Sequence, residues 1–170
     1  GLEAVECLTS ETLWDAMATR PEPPARLVVL GGGPIGCELA QAFARLGSRV
    51  TVVEMLPRLL GREDEEAAGV IAETLAADGV SVHTGHRAVR CEPGENGAPD
   101  VLVTERDGAE HRHAFDTLLC AIGRRPRLTG YGLEDLGIDT GAPLVANDYL
   151  ETLYPNIYAA GDVAGPYQFT

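Results

Sequence analysis

The sequence has no apolar stretch approaching the ~18–20 residues of a membrane-spanning helix, and its first residues lack the basic-then-apolar pattern of a secretory leader. It also lacks a basic excess: Lys plus Arg number 13 against 26 Asp plus Glu, a formal net charge of −13. Phosphate polymers and anionic bilayers are held by basic faces, so neither nucleic acid nor a membrane surface is expected as a partner. The four cysteines, Cys7, Cys37, Cys91 and Cys120, form no CxxC or CxxxxC pair, which speaks against a disulfide framework or a zinc site. Widely spaced thiols suit a reducing compartment, and a cytoplasmic location is expected. No internal repeat and no low-complexity tract is present. Gly1 stands where an initiator Met would, so an excised or processed piece is expected.

What is present is globular in kind. The chain has 170 residues, 45% of them hydrophobic and 23% charged, enough for about one domain with a core of its own. Residues 1–18 read as an entry segment with one short helix, capped by Thr9 or Ser10 and carrying Leu13, Trp14 and Met17 as its apolar stripe. Arg20-Pro-Glu-Pro-Pro24 suits neither helix nor inner strand and reads as a stiff linker. After it come short all-apolar runs separated by helical periodicity. Leu27–Leu30, Val50–Val53 and Val80–His83 read as strands buried on both faces. Residues 34–46, with Ile35, Leu39, Phe43 and Leu46, and residues 63–77, with Val70, Ile71 and Leu75, read as the helices between them. Gly47 ends the first, and Glu63, Asp64, Glu65 and Glu66 sit at the positive end of the second. Strand–helix alternation of this kind means a parallel sheet.

Beyond residue 85 the texture changes. Residues 86–92, 101–106 and 111–116 alternate weakly and are joined by turn-rich pieces, Glu92–Gly97 and Arg106-Asp-Gly108, which predicts an antiparallel meander. Leu118–Ile122 is one more buried strand, ending at Gly123. Residues 124–143 are loop-rich, and a last apolar run, Ile157–Ala160, ends at Gly161-Asp162.

The chemistry-bearing motif is Gly31-Gly-Gly-Pro34-Ile35-Gly36, a G-x-G-x-x-G string that leaves a strand and opens a helix. Glu54 ends the next strand, about 20 residues on, where a ribose-binding carboxylate belongs. Gly31 makes the turn, Gly33 lets a pyrophosphate approach the backbone, and Gly36 lets helix and strand pack closely. The free N–H groups and positive end of the helix attract a diphosphate. A negative Glu54 repels a 2′-phosphate, so NAD, as NADH, is expected over NADPH, with Arg58 and Arg62 just beyond it as the features that favour the alternative. The expected fold is α/β: a Rossmann-type parallel sheet with helices on its faces and an antiparallel β-meander insertion.

Three stretches, with their order and spacing, carry a resemblance to a known family: Gly31–Glu38, Cys120-Ala-Ile-Gly-Arg-Arg-Pro126 and Asn156-Ile-Tyr-Ala-Ala-Gly-Asp162. The chain resembles the FAD-dependent pyridine nucleotide-disulfide oxidoreductases, the group of dihydrolipoamide dehydrogenase, mercuric reductase and glutathione reductase. The resemblance implies that residues 1–20 are a strip of an FAD domain plus linker, 21–146 the NAD-binding domain, and 147–170 a second FAD-domain strip with an FAD motif. It implies hydride transfer from NADH to FAD and on to a cysteine pair, in a protein that forms a homodimer through a further domain. By the same resemblance Glu38 lies where nicotinamide meets flavin, Gly123 lies against the nicotinamide half, and Gly161 and Asp162 hold the flavin's ribityl chain. Arg124 can help to position the nicotinamide. Tyr167–Thr170 lean toward the mercuric-reductase-like branch. No side chain is expected to act as acid or base, and the chain alone is expected to be inactive. The alternatives are a stand-alone NADH-binding sensor module and a domain of a related flavoprotein such as an NADH oxidase. Cys37, beside the helix start, reads as packing rather than as a thiolate. His83, His86, His111 and His113 read as scattered; the last two share a strand face, but without carboxylates they make a poor metal site, and no metal is expected.

Overall fold

The computed structural model describes residues 1–141, 143, 144 and 146–164. It divides into two compact units, Gly1–Gly123 and Arg124–Thr170. In the first unit the elements run β1 (Cys7–Leu8), α1 (Leu13–Ala18), β2 (Arg26–Leu30), α2 (Pro34–Arg45), β3 (Arg49–Glu54), α3 (Glu65–Ala77), β4 (Ser81–Thr84), β5 (Arg87–Glu92), β6 (Asp100–Arg106), β7 (Ala109–Phe115) and β8 (Thr117–Cys120). Five strands form a parallel sheet in the order β1-β8-β2-β3-β4, and β5-β6-β7 form a separate antiparallel sheet. The expected α/β architecture, parallel sheet and antiparallel meander are all present.

Period-two alternation sorts the parallel strands onto two layers. Leu27, Val29, Val50, Val52 and Leu119 pack with Leu13, Ala40, Phe43 and Leu75 on the side of the three helices. Val28, Val53 and Leu118 point the other way and pack with Cys91, Leu102 and Phe115 of the antiparallel sheet. The helices therefore take one face and the meander the other. No helix among the described residues is long and apolar enough to cross a membrane.

Several elements differ in detail from their expected form. The first helix starts at Leu13 behind Thr12, while Thr9 and Thr12 bond each other across the turn before it: the Thr9 N–H donates to Thr12 Oγ1 at 2.9 Å. On so short a helix Leu13 and Met17 share one face, and Trp14, a further 100° round, is left 62% exposed. On α2 the buried positions are Gly36, Cys37, Ala40 and Phe43, with Leu46 exposed. Small residues at 36, 37 and 40 let this helix lie close to the sheet. On α3, capped by Asp64 Oδ1 accepting from the Ala67 N–H at 3.1 Å, Ala68 and Leu75 face inward and Val70 is 59% exposed. The last parallel strand runs 117–120 rather than 118–122, and β1, two residues long, pairs with it at Cys7↔Leu118.

The second unit has little regular structure among its described residues. Leu128, Leu144 and Ala159 form its small core. The expected run at Ile157–Ala160 appears as a single antiparallel bridge, Glu151↔Tyr158, closed by the Ala159 N–H donating to Leu150 O at 2.9 Å. Tyr167–Thr170 lie outside the described residues.

Candidate functional site

At the carboxyl end of β2 the chain turns sharply through the glycine string. Gly31 has φ +110°, and a Cβ there would stand 2.5 Å from Ala121 O. Gly36 packs closer still: its Cβ would fall 2.0 Å from Gly31 O. Gly33 is the opposite case, with nothing within 4 Å of the position a Cβ would take. It is the N-cap of α2, Pro34 follows in the first helical turn, and no side chain caps that end. Pro34 is exposed and Ile35 half-buried. Two glycines thus serve internal packing and one faces open space, the division of labour expected of a loop that admits a diphosphate to an uncapped helix start.

Glu54, at the end of β3, reaches this loop. Its Oε2 accepts from the Gly32 N–H at 2.6 Å and its Oε1 from the Leu56 N–H at 2.7 Å. A carboxylate has about four lone-pair sites, so two remain for hydroxyl donors. The following loop is tied back by the Leu60 N–H on Gly32 O at 2.8 Å. Arg58 is part of this fastening: its guanidinium donates to Leu60 O and Glu63 O, both at 2.8 Å, and to Gly61 O at 3.1 Å. It is engaged with backbone carbonyls rather than presented to a ligand phosphate.

Glu38 is exposed on α2 and borders a groove of about 310 Å³ between α2 and α3, lined also by Gln41, Leu60 and Thr74. Cys37 is buried, its thiol donates to Gly32 O at 3.5 Å, and burial followed by the charges of Glu54 and Glu38 pushes its pKa up to about 11. It stays a thiol. Gly123 follows β8, exposed, at φ +148° with nothing within 4 Å. In the second unit Gly161 (φ +74°) and Asp162 begin a short 3-10 helix, and the Arg124 guanidinium donates to Asp162 Oδ2.

The histidines are where the fold departs most from the sequence reading. They are not scattered. His83 lies on β4, His86 in the turn into β5, and His111 and His113 two apart on β7, and their rings meet edge to face. His86 and His113 are buried, and Thr104 Oγ1 on β6 stands 3.0 Å from His86 Nδ1 and 3.0 Å from His113 Nε2. Burial, then the neighbouring imidazoles, pushes His113 down to about 4, and His83 and His86 are lowered for the same reasons. The only signal in the sequence was the pair of short spacings, His83-x-x-His86 and His111-x-His113. That the two pairs would meet depended on the meander folding back over β4.

Comparison with known proteins bears on the whole chain. Residues 3–170 match the model of the family described as pyridine nucleotide-disulphide oxidoreductase. The chain is 40% identical over 161 residues to a dihydrolipoyl dehydrogenase of Thermus scotoductus, covering 92% of this chain and 35% of that protein. It is 42% identical over 167 residues to a mercuric reductase of Streptomyces lividans, covering 96% and 33%. Among solved structures it is similar to the HOCl-induced flavoprotein disulfide reductase RclA from Escherichia coli, with a TM-score of 0.79 and 34% identity over 99% of this chain and 37% of that one. The chain thus spans about a third of the length of these relatives. With the glycine loop, the paired sheets and this match in hand, the chain belongs to the pyridine nucleotide-disulphide oxidoreductase family.

Proposed function

We propose that residues 21–146 bind NAD(H), and that in a protein of its relatives' length they present the dinucleotide to an FAD whose electrons pass to a disulfide-forming cysteine pair. On this reading residues 21–146 are the nicotinamide-nucleotide domain, and residues 1–20 and 147–170 contribute to the flavin domain. The observation that carries the proposal is the pairing of half-buried Gly33, with nothing within 4 Å of its Cβ position, and Glu54, fixed nearby by two backbone N–H groups. Gly33, Ile35 and Gly36 supply N–H groups to a diphosphate, Pro34 having none, and Glu54 accepts from the adenosine ribose hydroxyls with its two remaining lone-pair sites. Arg58 is engaged elsewhere, which supports NADH over NADPH. Glu38 and Gly123 orient the nicotinamide end. Gly161 and Asp162 receive the flavin ribityl chain, with Arg124 holding the Asp162 carboxylate in place. Nicotinamide and flavin supply the hydride chemistry when bound, and the chain's part is orientation and electrostatics. A protein of the relatives' length is read as a homodimeric, cytoplasmic oxidoreductase.

Calorimetric titration with NADH and with NADPH tests this. Hydrogen bonds to a charged group are worth about 1.5–3 kcal/mol, so NADH should bind roughly 10–100-fold tighter. Glu54→Arg, checked for folding by circular dichroism, should abolish or reverse that order. Equal affinities, or no binding of either nucleotide by a chain that is folded, would overturn the proposal.

A further inference from the structure

The rings of the chain's four histidines cluster edge to face in the first unit, where the edge strand of the parallel sheet meets the antiparallel sheet, with His111 on the exposed side. One ring nitrogen from each of His83, His86 and His113 lies within 4.8 Å of the other two. Tetrahedral ligation at zinc–nitrogen bonds of 2.0–2.1 Å sets nitrogens about 3.3 Å apart. The closure needed is of the order of 1 Å, within reach of side-chain rotation. We propose that His83, His86 and His113 bind one late first-row divalent metal ion, of which Zn²⁺ is the reference, and that this ion clips β4 to β7.

The backbone beneath the three rings is already fixed. His83 pairs with Val53 in the parallel ladder, His113 pairs with Leu102 in the antiparallel one, and the His86 N–H donates to Glu54 O at 3.0 Å. Thr104 holds two of the rings relative to each other through its hydroxyl. The donor set is imidazole alone, with no carboxylate or thiolate among the three. That selects zinc, nickel, cobalt or copper over magnesium or calcium, which demand oxygen ligands. His111, exposed and with its ring 4.6 Å from that of His86, is a further imidazole for a fourth position, which water would otherwise take. Arg106 and Asp107, the other charged groups acting on His86, pair with each other at 3.4 Å and so oppose a cation little. A joint of two packed sheets needs no imidazoles. Apolar side chains would fill it without the desolvation cost of burying rings whose partner is one shared hydroxyl. A metal ion gives those rings a purpose, and it would link the two sheets in the folded state alone.

The 170-residue chain, stripped with a chelator, is titrated with ZnCl₂ by calorimetry and with CoCl₂ by visible spectroscopy. One ion should bind per chain. Losing even an outer-shell partner costs about 10–100-fold in affinity, so His83→Ala and His113→Gln should each cost about 100-fold or more. His111→Ala should cost less than about tenfold on the same scale. Without any substitution, Zn²⁺ should protect half-buried His83 from carbethoxylation by diethyl pyrocarbonate, mapped by mass spectrometry. This keeps the test independent of whether a variant folds. Absence of binding by Zn²⁺, Co²⁺, Ni²⁺ and Cu²⁺ would overturn the proposal. So would unchanged reactivity of His83, or an intense near-ultraviolet thiolate band in the cobalt complex, which would put the ion on cysteine. None of these readouts involves a nucleotide, so the outcome is separate from that of the dinucleotide proposal.

Discussion

The parallel and antiparallel sheets of the first unit are built on different physics. The central parallel strands are covered on both faces, and their residues are Leu and Val almost throughout: Leu27, Val28, Val29, Val52, Val53, Leu118 and Leu119 are all buried. The antiparallel sheet packs one face on the shared core, and its other face is laced by charge around Val103, which is fully buried between its cross-strand partners Arg90 and Arg112. Arg87 pairs with Glu105, Arg90 with Glu92 and Glu110, and Arg112 with Glu92. On its inner side Leu102 and Phe115 pack into the shared core, while Thr104, His86 and His113 form a buried polar patch. The parallel sheet is secured by uniform burial, and the antiparallel one depends on a few anchors.

The strongest way to break that contrast is to remove an anchor. Phe115 is fully buried where β7 meets Val28, Val53 and Leu118. Phe115→Ala should cost about 3–5 kcal/mol in urea unfolding. If the antiparallel sheet folds only against the parallel one, the loss will appear as a single shifted transition rather than as two.

Acid gives a smaller and more selective test. Lowered histidine pKa values mean that between the folded and unfolded values the unfolded chain binds more protons. For His83, His86 and His113 the stabilisation is complete above the unfolded value near 6.5. It is lost as pH falls toward the folded values, about 4 for His113. With chelator present, the urea midpoint should fall steadily from pH 7 to pH 4.5. A midpoint flat over that range would mean that the imidazoles are solvated in both states.

The charged outer face should matter least. Arg87 and Glu105, 2.5 Å apart, are both well exposed, and exposed pairs contribute about 0–1 kcal/mol. Arg87→Ala should move stability by less than about 0.5 kcal/mol, and by less again in high salt. A larger loss would show that the cross-strand charges, and not the buried anchors, hold this sheet.

The same contrast explains how much was legible in the sequence. The apolar runs of β2, β3 and β8 and the glycine string announce themselves locally, because burial on both faces leaves a continuous signature. The turns at Glu92–Gly97 and Asp107-Gly108 gave away the meander for the same local reason. What could not be read was anything set by long-range pairing. Cys7–Leu8 carries no periodicity, yet it joins the sheet beside residues 118–119. Of the expected stripe on α3 only Leu75 is buried: a helix laid on a sheet buries whichever face packs, and Ala68 takes the place of Val70 and Ile71. Glu54 was found from its spacing alone, whereas its grip on Gly32 and Leu56 was not, since main-chain N–H groups have no sequence signature. The histidine cluster needed two hairpin-scale spacings to converge across about 30 positions, which only the fold provides.

The double hold on Glu54 has a consequence in entropy. A free glutamate side chain surrenders about 1.5–2 kcal/mol of rotameric freedom when it is immobilised. Here both carboxylate oxygens are already restrained by backbone donors, so that loss falls on folding and not on ligand capture. The residue is a stiff acceptor waiting in its final rotamer. An aspartate, one methylene shorter, could keep the charge at this position yet lose the reach to both N–H groups, and with it the advance ordering.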